Sequence, residues 1–146
     1  MAFKYKYQRL LDLKISEESS KKLEISQTSN MLREETNKLR KIQDKKHMFM
    51  QEYRKLVKGR IDLAYTTDCS YFMRAIMEIQ KGQEQVVSSL KTALDGLKNE
   101  LLNITKEKKK YEKLKEREYQ RYLYKCTRIA EKLTDDLLSY RNRVQL

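Results

Sequence analysis

The sequence has no proline, no tryptophan, three glycines, one histidine and two cysteines in 146 residues. Without proline, and with glycine so scarce, it lacks the turn residues that a sandwich or barrel of many strands needs at every reversal. Hydrophobic residues make up 39% and charged residues 37%, too little apolar volume for a compact globule, so the core is expected to be a thin seam. A disordered polyampholyte would be richer in Pro, Gly and Ser and poorer in regularly spaced Leu, Ile and Tyr; long solvated helices fit better. Neither the opening Met1-Ala-Phe-Lys-Tyr-Lys-Tyr7 nor any later segment supplies the apolar run of about 7 to 15 residues of a secretory signal or the roughly 20 of a spanning helix. The chain is therefore expected to stay in the cytoplasm, with no direct membrane insertion. Cys69 and Cys126 form no C-x-x-C pair, so neither a disulfide framework nor a zinc site is indicated and both thiols are expected to be reduced.

Catalytic chemistry is equally absent. Gly59, Gly82 and Gly96 each stand alone inside helical sequence, so there is no glycine-rich phosphate loop. His47 has no second His or Cys at helical spacing and reads as a solvated side chain. Glu and Asp are plentiful, but acid–base work needs an enclosure that shifts their pKa values, and a two-helix hairpin has none. The expectation is a non-enzyme with no cofactor and no bound metal.

What the sequence does contain is a three-four apolar repeat. Tyr7, Leu11, Ile25, Leu32, Leu39, Ile42, Phe49, Tyr53, Leu56 and Leu63 fall on one heptad frame, with Lys14, Glu18, Lys21, Glu35, Lys46 and Arg60 intruding on it. A second frame runs through Met73, Ile76, Val87, Leu90, Leu94, Leu97, Leu101, Ile104, Tyr111, Tyr122 and Ile129, then slips by a stutter to Leu133, Leu137, Tyr140 and Val144. The predicted fold is all-α: a single domain over 1–146, a long antiparallel two-helix coiled coil with its reversal near residues 60–70. Helix one covers about 3–62, the turn about 63–69, and the longer helix two about 70–143.

The turn is placed at Tyr65-Thr-Thr-Asp68-Cys69-Ser70, where β-branched and capping residues cluster without Lys or Glu. A reversal near 66 pairs residues whose numbers sum to about 132 or 133. Leu32 then meets Leu101, Leu39 meets Leu94, Ile42 meets Leu90 and Leu56 meets Ile76, while Lys14 faces Glu118 and Glu18 faces Lys115. Because helix two is longer, the stripe after Ile129 has no partner within the chain. It reads either as a frayed or self-associating tail or as a surface that another molecule buries.

Two surfaces invite partners. Lys106 to Lys125 is net positive with Tyr111, Tyr119, Tyr122 and Tyr124 interleaved. It reads as a solvated face with pairs such as Glu107–Lys110, Glu112–Lys115 and Glu118–Arg121, as a docking site for an acidic protein, or as a nucleic-acid binder. Near the reversal, Phe49, Met50, Tyr53, Phe72, Met73, Ile76, Met77 and Ile79 exceed what one seam hides; Phe72, Ile79 and Met50 form either a docking patch or a cluster packed on itself.

The start Phe3-Lys-Tyr5-Lys-Tyr7-Gln-Arg-Leu10-Leu11-Asp12, with the later Tyr111-Glu-Lys-Leu-Lys-Glu-Arg117 and Leu133-Thr-Asp-Asp-Leu137-Leu-Ser-Tyr-Arg141, resembles the FliJ family of bacterial flagellar export across the whole chain. That resemblance implies a non-catalytic coiled coil similar to the γ stalk of rotary ATP synthases. The family's paired chain ends enter the pore of a hexameric, FliI-like export ATPase and promote its assembly, and its opposite region contacts the FlhA-like export gate. A role in escorting export chaperones and a peripheral place at the cytoplasmic face of the inner membrane follow from the same resemblance. The family's gate-binding spacing falls here on Ile42, Lys46, Phe49 and Tyr53 and on Phe72, Ile76, Ile79 and Gln83, of which Lys46 and Gln83 depart from its pattern. Phe49, Tyr53, Phe72, Ile76 and Ile79 are the gate-binding candidates. Leu133, Leu137, Tyr140, Arg141 and Val144 are the ATPase-binding candidates. The equivalent stalk of a non-flagellar type III secretion system and a basic nucleic-acid-binding coiled coil remain as alternatives.

Overall fold

The computed structural model describes residues 2–59 and 62–145. Two helices, α1 (Gln8–Val57) and the longer α2 (Leu63–Val144), pack antiparallel. With no proline to break them both run uninterrupted, and α2 continues past its two glycines, Gly82 and Gly96, which lie in helical backbone with open space where a Cβ would point. Arg54 and Lys55 close α1, and Arg141 and Arg143 close α2, basic residues at the ends where helix dipoles favour them.

The reversal falls between Val57 and Leu63, at the near edge of the expected 60–70 interval. The stretch 63–69, expected to be the turn, is the first two turns of α2. Asp62 is the cap: its Oδ1 accepts the Ala64 N–H at 3.0 Å. Thr66 and Thr67 turn their hydroxyls back onto the Asp62 and Leu63 carbonyls at 2.9 and 2.8 Å, which lets a β-branched, hydroxyl-rich run stay helical. At the other end, residues 2–5 are not helical and α1 begins at Gln8 rather than Phe3.

The shift in the turn changes the register. The facing pairs are 14 with 107, 21 with 100 and 49 with 72, numbers that add to 121 rather than 132 or 133. The expected pairs Lys14–Glu118 and Glu18–Lys115 are replaced by Lys14–Glu107 and Glu18–Lys108. Leu56, expected opposite Ile76, is 54% exposed, and Leu63 and Ile129 also leave the seam. Arg60, expected on the same frame, lies outside the described residues.

The chain divides into two compact units, residues 21–100 and residues 2–20 with 101–145. In the first, the turn unit, the covered positions of α1 follow the heptad from Lys21 through Ile25, Leu32, Leu39, Ile42 and Phe49 to Tyr53. Those of α2 run from Thr66 through Cys69, Met73, Ile76, Val87, Leu90 and Leu94 to Leu97, and Cys69, Val87 and Leu94 are buried. In the second, the end unit, α1 contributes Leu11, Lys14 and Glu18. There α2 contributes Leu101, Ile104, Lys108, Tyr111, Lys115, Glu118 and Tyr122.

Candidate docking surfaces

In the end unit, three aromatics at alternate positions of the non-helical start lie on α2. The period of two marks an extended strand of chain rather than a helix. Phe3 packs at 5.3 Å between ring centroids from Tyr119 and 5.5 Å from Tyr122, and Tyr7 at 6.5 Å from Tyr111. Tyr5 is buried, and its hydroxyl donates to the Tyr111 carbonyl at 2.9 Å. Burial, followed by the Glu118 charge, raises the Tyr5 phenol above its ordinary pKa. The sequence alone suggests no strap: it sets Tyr7 on the heptad frame and Phe3 and Tyr5 in the first turn of helix one.

Beside the strap the seam is ionic. The buried Glu18 carboxylate receives Lys108 Nζ at 3.0 and 3.1 Å and the Thr105 hydroxyl at 3.2 Å. Lys14 Nζ bridges Glu107 at 2.6 Å and Glu17 at 3.1 Å; its hydrogen bond to Glu107 is the main reason its pKa is raised, and the same bond lowers that of Glu107. Glu107 and Glu112, expected to pair with Lys110 and Lys115, face Lys14 and Lys108. One lysine of the basic 106–125 segment, Lys108, and two of its acids, Glu107 and Glu112, are thus engaged in ion pairs within the protein.

Beyond Tyr122 every described residue of α2 is exposed. The seam stripe nevertheless continues through Cys126, Ile129, Leu133, Leu137, Tyr140 and Val144, the last five each 59 to 69% exposed. An apolar hollow of about 490 Å³ between Tyr122 and Leu133 opens along it. Cys126 is hydrogen-bonded to the Tyr122 hydroxyl, which raises the Tyr122 pKa. All five ATPase-binding candidates, Leu133, Leu137, Tyr140, Arg141 and Val144, stand on this uncovered length.

The turn unit carries the other group. The Phe49 and Phe72 rings meet at 4.5 Å across the seam, and Phe49, Tyr53 and Ile76 are half-buried seam residues. Phe72 and Ile79 are 50% and 60% exposed. The gate-binding candidates therefore split into three that hold the helices together and two presented outward. The two departures from the family spacing are seam residues too: Gln83 donates to the Glu35 carboxylate and to the Glu35 carbonyl, the latter at 3.0 Å, and Lys46 is half-buried. The bond from Gln83, then that from Lys38, holds the Glu35 carboxyl below its usual pKa.

Among the described residues no group of three or more His, Cys, Asp or Glu is placed to hold a metal, and no helix is long and apolar enough to cross a membrane. His47 shares a hydrogen bond with Gln51 at 3.1 Å. Both cysteines are free thiols.

No curated protein and no solved structure matches the chain. The family described as flagellar FliJ protein does match, over residues 3–145, which spans the strap, both helices and the uncovered end of α2. Of the readings the sequence left open, the flagellar one is the family's. The chain belongs to the flagellar FliJ family, a non-catalytic component of the flagellar export apparatus that serves as the stalk of its ATPase.

Proposed function

We propose that the uncovered end of α2 is the part of the stalk that the export ATPase grips, through Leu133, Leu137, Tyr140, Arg141 and Val144. The observation that carries this is the stripe itself: an apolar row on seam spacing whose cover from the start of the chain ends at Tyr122 yet which continues for six turns in helical form. A hexameric, FliI-like ring would supply the missing partner, and burying the row would link the stalk to ring assembly. At the turn, Phe72 and Ile79, backed by Phe49, Tyr53 and Ile76, form the face offered to an FlhA-like export gate. Chaperone escort is a further activity of the same two surfaces, exercised at the cytoplasmic face of the inner membrane.

Deleting the residues after Ile129 tests the grip. The expected result is loss of stimulation of the cognate ATPase with the circular-dichroism signal of the remaining helices retained; undiminished stimulation by the shortened chain would refute it. Replacing Phe72 and Ile79 by Ala is expected to weaken gate binding and leave ATPase stimulation in place.

A further inference from the structure

The turn unit has two flanks, and the two outward-facing gate-binding candidates, Phe72 and Ile79, occupy only one. In an antiparallel heptad pair, residues just after seam positions on one helix face residues just after seam positions on the other. Phe72 and Ile79 precede the seam positions Met73 and Gln80, so they share a flank. Met50 and Arg54 follow Phe49 and Tyr53, and Ser70 and Arg74 follow Cys69 and Met73, which puts these four together on the opposite flank.

That second flank holds a groove of about 500 Å³. Phe49, Met50, Tyr53 and Met73 form its walls, Arg54 and Arg74 stand at its rim, and no carboxylate lines it. Neither arginine makes an ion pair among the described residues, although acids elsewhere in the turn unit are engaged, as Glu35 is with Lys38 and Glu100 with Lys21. In the observed register residue 54 lies level with about residue 67, so Arg54 and Arg74 are rooted about two helical turns apart, roughly 10 Å along the helices.

We infer that this groove is a second docking site, which takes an acidic amphipathic helix from a partner protein. Apolar side chains of the incoming helix fill the space between the methionine and aromatic walls, and carboxylates two turns apart on it pair with Arg54 and Arg74. Methionine walls adapt to the shape of the insert, and arginine binds carboxylate through two parallel N–H donors. A nucleic-acid backbone or a lipid headgroup plane would place phosphate over the apolar walls and leave the concavity unfilled, which is why a peptide helix fits better. The site lies on the flank away from Phe72 and Ile79, the outward-facing part of the gate reading, and shares with that reading only the seam residues Phe49 and Tyr53.

Six methionines make the flanks separable by carbon-13 methyl NMR of the full chain. Met50 and Met73 report the groove, whereas Met31 and Met48 lie on the other flank and are 54% and 61% exposed. The probe is a synthetic amphipathic helix of about six turns with leucines at three-four spacing and glutamates two turns apart; its control carries lysine for glutamate. Saturable shifts of Met50 and Met73 with Met31 and Met48 unmoved, no response to the lysine peptide, and an affinity loss of about tenfold or more in Arg54→Glu/Arg74→Glu are expected. Phe72→Ala/Ile79→Ala should bind the probe undiminished even while it loses the gate.

Four results would overturn the proposal. Met48 could shift in step with Met50, or the double arginine reversal could leave affinity unchanged with helicity intact. Duplex DNA or vesicles of phosphatidylserine could move Met50 and Met73 more than the acidic peptide does. Finally, the same methyls could shift with protein concentration alone, which would make the groove a contact between copies of this chain.

Discussion

Between Lys21 and Glu100 the heptad seam is closed mainly by Ile25, Leu32, Leu39 and Ile42 against Val87, Leu90 and Leu94. In the end unit the same spacing is closed by one leucine from α1, Leu11, and by Lys14, Glu18, Lys108 and a strap of aromatic rings. Identical geometry is therefore served by two chemistries. Apolar closure is non-directional and holds the helices together without choosing between heptad registers. Charged closure has partners that must match, so it penalises the wrong register and is weaker in isolation. The end unit is the place where the seam stripe goes uncovered, and a contact there built from ion pairs and exposed-edge aromatics is easier to disturb than one built from leucines.

The comparison can be broken most severely in the turn unit. Leu94→Ala removes a buried leucine, and a loss of about 2–4 kcal/mol of stability by urea titration is expected; a loss no larger than that of an exposed leucine such as Leu102 would contradict the apolar account. In the end unit the sign is expected to reverse. Glu18→Leu together with Lys108→Leu exchanges a part-buried ion pair for apolar contact and should stabilise by about 1–3 kcal/mol, whereas Glu18→Leu alone leaves Lys108 only its longer contact with Glu112 and should destabilise. If the double variant is the less stable one, the ionic seam contributes more than register.

Tyr5→Phe keeps the ring and deletes the bond to the Tyr111 carbonyl. About 1 kcal/mol is expected, seen as faster hydrogen exchange near Gln8 and Tyr111 with the turn unit unaffected. The smallest and most graded effect is that of pH. Glu107 and Glu35 have lowered pKa values, so their contribution is present above the ordinary carboxylate range and is lost as pH falls through the lowered values. Lys14 is raised, so its contribution is present below the ordinary lysine range and lost as pH rises through the raised value, and the raised Tyr5 phenol follows the same alkaline direction. Both units should loosen in acid, and both in alkali, through Lys14 and Tyr5 in the end unit and through Lys21 and Lys38, raised by their hydrogen bonds to Glu100 and Glu35, in the turn unit; an alkaline response in exchange of one unit alone would contradict this.

The fold class was legible because the three-four repeat is long and uninterrupted, and every intruding charge from Lys14 to Lys46 occupies the seam position the repeat assigns it. The register was not. Tyr65–Ser70 carries the residue types of a turn, but threonine hydroxyls that return to carbonyls one helical turn back satisfy themselves within a helix, while α2 opens earlier, capped by Asp62. A charge-matching test could not expose the error: Glu and Lys recur so densely that Lys14 finds an acid at 107 as readily as at 118. The family spacing takes in Phe49 and Ile76, which hold the seam, together with Phe72 and Ile79, which face outward; the heptad frame separates them, since the first two fall on it and the last two on a flanking row. The groove between Arg54 and Arg74 depends on which residues stand level across two helices, and that depends on the register.

The claim on which the account turns is that the uncovered stripe of α2 is the surface the ATPase holds. Photo-crosslinking reads it residue by residue. A photoreactive side chain placed in turn at Leu133, Leu137 and Tyr140, on the stripe, and at Glu131 and Asp135, on the reverse of the same helix, is exposed to the assembled export ATPase. Crosslinks from the three stripe positions and few from the other two are predicted; equal yields from both sides, or yields only from Glu131 and Asp135, would contradict it.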